Sequence, residues 1–573
     1  MTQKQRKQET AAPPRAALAG LALLLALATL AVFWRTTQAS FITADDGVYV
    51  TANPTVQAGL TGPGVRWAFG FRDGNWIPLT WLSLMLDAGI AGTDPRVFHA
   101  TNLVLHLASV LVLFAALTQM TGRLGRSWFV ALLFAIHPLH VESVAWVAER
   151  KDVLSGLFFM LGLLAWRAYA RRPNGVRYAW VAAAAAAGLM AKPMLVTLPF
   201  MLLLLDLWPL ARPLSLRRLI QEKIPLLALS AASAVLTVEA QRGAGAMSSI
   251  EAIPIASRAG NALVSYATYL VKTIAPVGLA FFYPHPGGRL PAWQVLGSAA
   301  LLLALTGIAW RTIRTRPYIA IGWAWYLIML VPVIGIVQVG IQARADRYTY
   351  LPLIGIFIAA TWTFAELSER IDDVRLRRGL CRGAAAAVGL ALGASAWAEA
   401  GYWHDSVRLY TRALSVTKDN VVAHNDLGLA LLQQGDLDGA VRESREAIRL
   451  DPGHPEPPNT LATALTRKGR PDEAIAVYRA ALRERPNDAV LHGNLGTVLA
   501  ESGDLSGAAA ELTTALRLAP DSSDAHYNVG VLLAREGRFA EAIAELEAAQ
   551  RLSPFDPEIR QSLEEAVRQA AKK

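Results

Sequence analysis

Eleven stretches of this 573-residue chain are apolar over most of the length a bilayer demands, and none of them lies beyond residue 401. Hydrocarbon offers the backbone no hydrogen-bond partner, so such segments fold as helices. The runs are Ala16–Trp34, Phe98–Leu117, Trp128–His140, Val153–Tyr169, Tyr178–Met190, Met194–Leu210, Ile224–Val238, Trp293–Trp310, Tyr318–Val339, Leu351–Phe364 and Gly383–Ala400. They predict a polytopic membrane domain of about 11 spans over residues 16–401, behind a short tail, 1–15. The composition agrees, with 53% hydrophobic and only 17% charged residues.

The charge is unevenly placed. Residues 402–573 hold 20 Lys/Arg and 26 Asp/Glu; subtracting these from the totals of 55 and 45 leaves 35 and 19 for the first part, so the two parts carry +16 and −6. The basic excess therefore belongs to the membrane part, where cytoplasmic loops collect Lys and Arg, and it calls for no nucleic acid. The basic loops are those around Arg123 and Arg126, Arg171–Arg177, Arg212–Lys223, Arg311–Arg316 and Glu366–Arg382. Eleven spans from a cytoplasmic N-terminus put all five inside and everything after Gly401 outside. Ala16–Trp34 has the basic leader of a signal peptide, yet it is long enough to span and no small-residue cleavage site follows it, so it reads as a retained span. Asn261–Phe282 fits a re-entrant or surface helix better than a twelfth span: Asn261, Ser265, Thr268 and Lys272 form a polar stripe at helical spacing. The single cysteine, Cys381, excludes an internal disulfide.

Beyond residue 401 the pattern changes to a repeat of 34 residues. Gly435, Gly469, Gly503 and Gly537 are evenly spaced by it, as are Ala440, Ala474, Ala508 and Ala542, and Pro452, Pro486, Pro520 and Pro554. Glycine for a tight turn, a small residue where paired helices touch and proline after the second helix describe the tetratricopeptide (TPR) repeat. The predicted fold is thus all-α: membrane helices followed by a TPR solenoid over 402–573. The solenoid comprises a half repeat (405–420), four full repeats (421–454, 455–488, 489–522 and 523–556) and a polar capping helix (557–573).

Candidate chemistry gathers in the outward loops. Asp45 and Asp46 follow the first span, and their mutual repulsion would raise one carboxyl toward the range of a general base. His137, His140 and Glu142 flank Pro138; they suit a hydrogen-bonded cluster at a helix mouth better than a metal site, because the proline breaks the face they would share. Arg150 and Lys151 open a span, Lys192 tips a hairpin between two spans, and Arg344, Arg347 and Tyr348 occupy another outer loop. Cations on one face suit a phosphate and tyrosine suits a sugar. Each group also has a plain reading, as solvated, snorkelling or aromatic-belt residues. Ionisable groups converging on one membrane face instead favour transfer of a sugar from a polyprenyl phosphate to a hydroxyl, in which the leaving phosphate needs charge stabilisation and no acid.

The chain resembles the TMTC-type transmembrane and tetratricopeptide-repeat proteins, of the GT-C glycosyltransferase class that includes protein O-mannosyltransferases. The likeness rests on Asp45-Asp46, on Asn75-Trp-Ile-Pro-Leu-Thr80, on the stretch from His137 to Asp152, on Asp346-Arg-Tyr-Thr-Tyr-Leu-Pro352 and on the repeats. The resemblance implies that Asp45 and Asp46 are catalytic, that transfer is inverting and classically of mannose to Ser or Thr, and that neither metal nor cofactor is needed. It implies a protein acceptor or partner in the TPR groove, lined in part by Asn425, Asn459 and Asn494. The alanine- and arginine-rich composition points to a bacterial inner membrane with the repeats in the periplasm. The competing readings are a transferase with a glycan or lipid acceptor and a non-catalytic TPR scaffold for envelope assembly.

Overall fold

The computed structural model describes residues 15–243, 254–287, 290–336 and 340–572, so all but the last residue of the 1–15 tail and the end of the Tyr318–Val339 run lie outside the described residues. The chain is helical, and its one described sheet pairs Tyr283–Pro284 with Gln342–Arg344 in antiparallel fashion. The described residues form two compact units, one from Met1–Thr51 with Val56–Leu409, the other from Ala52–Thr55 with Tyr410–Lys573.

Among the described residues of the first unit six helices are long and apolar enough to cross a membrane: Arg15–Gln38, Pro95–Thr121, Val147–Arg171, Ile224–Gly243, Ala292–Thr312 and Val374–Tyr402. Each coincides with a predicted run. A seventh run is a pair of helices, Leu124–Ile136 and Pro138–Ala145, bent by 55°. The bend follows from Pro138, which cannot donate to the helix preceding it. The other four runs are shorter helices, including Gly175–Ala191, Pro317–Leu330 and Leu353–Ser368, and Pro78–Ala91 adds an apolar helix where none was expected. The longest predicted span thus ends early, at Leu330, because Pro332 follows.

Local sequence sets the helix ends. Asp94 caps Pro95–Thr121 by accepting the Arg96 N–H, and Gly122 closes it in the left-handed conformation. Small residues set the packing. Gly322 and Gly355 bring Pro317–Leu330 and Leu353–Ser368 into backbone contact, with no room for a Cβ at either position. Not all loop cations are free: Lys223 pairs with Asp206, while Arg212 reaches Glu222 at 2.5 Å. The expected surface or re-entrant helix is Ile255–Ile274. Of its polar stripe, Asn261 and Ser265 are buried against protein, Asn261 donating to the Ala343 carbonyl at 2.8 Å, and Tyr269 beside the stripe donates to that of Ala345 at 3.0 Å.

The second unit is the solenoid. After Ser406–Val416 come the pairs Val421–Gln434 with Leu437–Leu450, Pro457–Arg467 with Pro471–Glu484, Ala489–Ser502 with Leu505–Leu518 and Ser523–Arg535 with Phe539–Leu552, then Pro557–Ala570. All four spaced glycines adopt positive φ, between 74° and 95°, and all four spaced alanines are wholly buried. The repeat is therefore written by turn geometry and helix contact.

Candidate functional site

The first helix passes into a loop anchored from the far end of the membrane unit. Ser40 N–H donates to the His404 carbonyl at 3.0 Å and Thr43 N–H to Ser406 Oγ at 2.9 Å. Asp46 is completely buried beneath this loop, its two oxygens taken by the N–H groups of Ile42 (2.9 Å) and Ala148 (2.8 Å). Burial pushes its carboxyl up to about 7 against the pull of these donors; the neighbouring Asp45 charge adds to the rise but is a smaller cause. Asp45 itself is exposed. It lies within electrostatic reach of Lys151 and of Asp73, whose carboxyl is raised by burial and then by the Asp45 charge. Asp73 adopts a φ of 48° in the turn that joins Arg72 to Asn75.

A cavity of about 430 Å³ opens nearby. Its lining joins a charged cluster, Glu149 with Lys151, Lys192 and Arg347, to the polar residues Asn75, Thr237, Gln241, Gln342 and Tyr348 and to apolar residues that include Met194, Val196, Ala234, Val238, Pro332 and Val333. The cations are held by carboxylates. Lys192 Nζ lies 2.5 Å from Asp152 and 3.2 Å from Glu149. Lys151 Nζ lies 3.3 Å from Glu149 and the same distance from the Tyr49 hydroxyl. Arg347 pairs with Glu142, reaches Glu149 at 3.0 Å and covers the Trp146 and Tyr348 rings. Burial opposes the Lys192 charge, yet Asp152 and Glu149 hold its ammonium above the usual range.

Of the expected donor-site residues, Lys151, Lys192, Arg347 and Tyr348 line this cavity. The others are placed differently. Arg150 is fully buried and commits its guanidinium to Asp87 (2.6 Å), Ser83 (2.7 Å), Asn102 (2.5 Å) and the Phe98 carbonyl (2.8 Å). It is an internal tie between helices, because the turn at 147–149 points it inward and Lys151 toward the cavity. Arg344 stacks 4.3 Å over Tyr283, outside the cavity lining. His137 is buried, with Nε2 against the Thr273 carbonyl and Nδ1 accepting the Leu139 N–H. His140 is buried with Nδ1 against the Phe134 carbonyl. Both imidazoles fasten the bend at Pro138. Glu142 acts through Arg347, accepting its backbone N–H at 2.9 Å besides the ion pair.

Two further carboxylates belong to this arrangement. Glu149 is the carboxylate on which all three cavity cations converge, and Asp73 is a third carboxylate near Asp45. Glu149 had a signal in its place within the charged run Glu149–Asp152; Asp73 had only an Asp-Gly turn. In the repeats, Asn425 is buried and bonds to Glu456 and Thr460, while Asn494 donates to Asn459 at 2.8 Å. These asparagines join successive repeats, so the groove is not lined by free amides at Asn425.

Comparison with known proteins accords with both units. Tetratricopeptide-repeat family models match residues 390–455 and 494–557, and residues 431–495. Protein O-mannosyl-transferase TMTC4 of Mus musculus is 27% identical over 433 residues, covering 65% of this chain and 57% of that protein. This match is longer than the repeat region, so it extends into the membrane unit. Protein O-mannosyl-transferase TMTC1 of Mus musculus is 34% identical over 169 residues, covering 27% of this chain and 18% of that protein. The chain thus spans only part of the length of these relatives. Among solved structures, a thermophilic TPR protein of Thermus thermophilus is 26% identical, covering 31% of this chain and 95% of that one with a TM-score of 0.27. The chain is a homologue of the TMTC protein O-mannosyl-transferases, and it ends in a tetratricopeptide-repeat domain.

Proposed function

We propose that the membrane unit is an inverting glycosyltransferase that moves a sugar, mannose by analogy with the relatives' names, from a polyprenyl phosphate to Ser or Thr hydroxyls of a protein. The observation that carries this reading is a cavity lined both by a cluster of three cations and by apolar side chains. Lys151, Lys192 and Arg347 bring three cationic donors to the lining, where Glu149 is the one carboxylate, while Asp152 and Glu142 pair with Lys192 and Arg347 from behind it. A glycosyl phosphodiester enters with one negative charge and its phosphate departs with up to two, so the lining favours the departing state over the arriving one. The apolar side chains suit the first isoprene units of the lipid.

Asp45, exposed and near Lys151, is the base in this reading. It takes the acceptor hydroxyl proton as that oxygen bonds to the anomeric carbon from the face opposite the phosphate. The carbon–oxygen bond to phosphate breaks and its electron pair leaves with the phosphate. Geometry favours Asp45 over Asp46, although the latter's carboxyl is near neutral range, because both Asp46 oxygens are occupied from within. The repeats recruit the acceptor or a partner. Basic-loop asymmetry and composition support a bacterial inner membrane, a cytoplasmic N-terminus and periplasmic repeats.

The test is to incubate the purified chain with a panel of polyprenyl-phosphate sugars and its co-purifying proteins, and to identify products by mass spectrometry. Sugar on Ser or Thr supports the reading. Transfer only to a glycan or lipid would replace the acceptor, and no transfer from any donor would favour a scaffold.

A further inference from the structure

Three cations meet in the lining of the cavity, and one carboxylate is common to all of them. Glu149 lies 3.3 Å from Lys151, 3.2 Å from Lys192 and 3.0 Å from Arg347. The three cations arrive from different elements: Lys151 from the start of a helix, Lys192 from the hairpin after Gly175–Ala191, and Arg347 from the loop before Leu353–Ser368. Glu149 is itself 1% exposed. Like charges so close in a poorly solvated place repel one another, and a carboxylate between them offsets that repulsion.

We propose that Glu149 is a positioning residue: it is the shared counter-anion that keeps Lys151, Lys192 and Arg347 charged together at the cavity lining. The other carboxylates cannot take this part. Asp152 touches only Lys192 among the three, and Glu142 touches only Arg347. Tyr49 and Asp45 act on Lys151 alone from outside the cluster. The helix Ile224–Gly243 faces the cavity with Thr237 and Gln241, which carry no charge. That these cations meet a phosphate rests on the reading above; that Glu149 gathers them does not.

Trace acetylation of the full-length protein in detergent tests the proposal, with each lysine followed by mass spectrometry and the exposed Lys418 as internal reference. Glu149→Gln removes the charge and keeps the shape. Lys192 should then lose its proton at lower pH, so its labelling at pH 8 relative to Lys418 rises about tenfold or more, as a one-unit shift requires. Should the amide variant not fold, Glu149→Asp, which cannot reach all three cations, gives a rise of about threefold on the same scale. Unchanged Lys192 reactivity in a folded variant overturns the proposal. A second arm measures binding of undecaprenyl phosphate from pH 6 to 9. Above pH 7, where the phosphate monoester has lost its second proton, wild type should bind evenly and Glu149→Gln progressively less. If Lys192 labelling shifts but neither protein binds the lipid phosphate, Glu149 keeps its role and the donor reading fails.

Discussion

Asp45 and Asp46 are adjacent in the chain and opposite in environment: Asp46 is wholly buried, holding the Ala148 N–H at 2.8 Å, while Asp45 is exposed. One carboxylate fastens the loop and the other faces outward from it. Replacing Asp45 with Asn should lower transfer about a hundredfold to ten-thousandfold, the usual contribution of a positioned base. Donor binding should persist. Turnover and lipid-phosphate binding measured on the same preparation check both halves.

Asp46 makes stability depend on pH. Its carboxyl titrates near 3.8 when unfolded and near 7 when folded, so between these values the folded chain keeps a proton that the unfolded chain releases. Stability from this group therefore falls as pH rises from about 4 to about 7, and is level outside that window. Asp46→Asn should flatten the slope. The difference in apparent unfolding temperature between wild type and variant, followed from pH 4 to 8, reads it directly.

Cations in the cavity and cations in the core should fail differently. Lys151→Ala, Lys192→Ala and Arg347→Ala should each weaken donor use roughly tenfold to a hundredfold, about 1.5–3 kcal/mol for hydrogen bonds to a charged group. Arg150→Ala should instead destabilise the membrane unit by about 3–5 kcal/mol, since Asp87 is left buried without its partner. Donor KM and detergent unfolding, measured for all four, separate the two classes.

That separation was not legible in the sequence. Arg150 and Lys151 are consecutive and look alike; a short turn at Val147–Glu149 decides which one faces inward. The repeats were readable because their glycines, alanines and prolines report backbone geometry that no distant contact alters. The span count was less readable, since a run's apolarity does not say where Pro138 or Pro332 breaks the helix. The asparagines of the repeats illustrate the same limit: spacing puts Asn425 on the first helix of its pair, but only packing shows that Thr460 and Glu456 already occupy it.

Asn425→Ala should accordingly act on stability. It removes bonds to Thr460 and Glu456 at a buried position, at a cost of about 1–3 kcal/mol. A lower thermal transition of the repeat unit with unchanged donor binding in the membrane unit is the expected result.

Truncation should depend on where the cut falls. A chain ending after Gly401 lacks His404 and Ser406, which hold Ser40 and Thr43 beside the candidate base. A chain ending after Thr417 keeps both. The longer form should transfer sugar to a short, concentrated acceptor but poorly to the native protein, and the shorter form should do neither well. Product formation by the two forms, normalised to the inserted membrane fraction, decides the matter.

Gly322 and Gly355 are not among the cavity-lining residues, yet they fix the crossing of the two helices that flank the stretch of chain holding residues 340–352. Arg347 and Tyr348 ride on that span of chain. A single methyl group at either glycine would wedge the helices apart and carry the arginine with them. A survey of inactivating changes in this protein should therefore show sensitivity at two positions devoid of reactive chemistry, where the aperture of the site is inherited from the thickness of a helix contact.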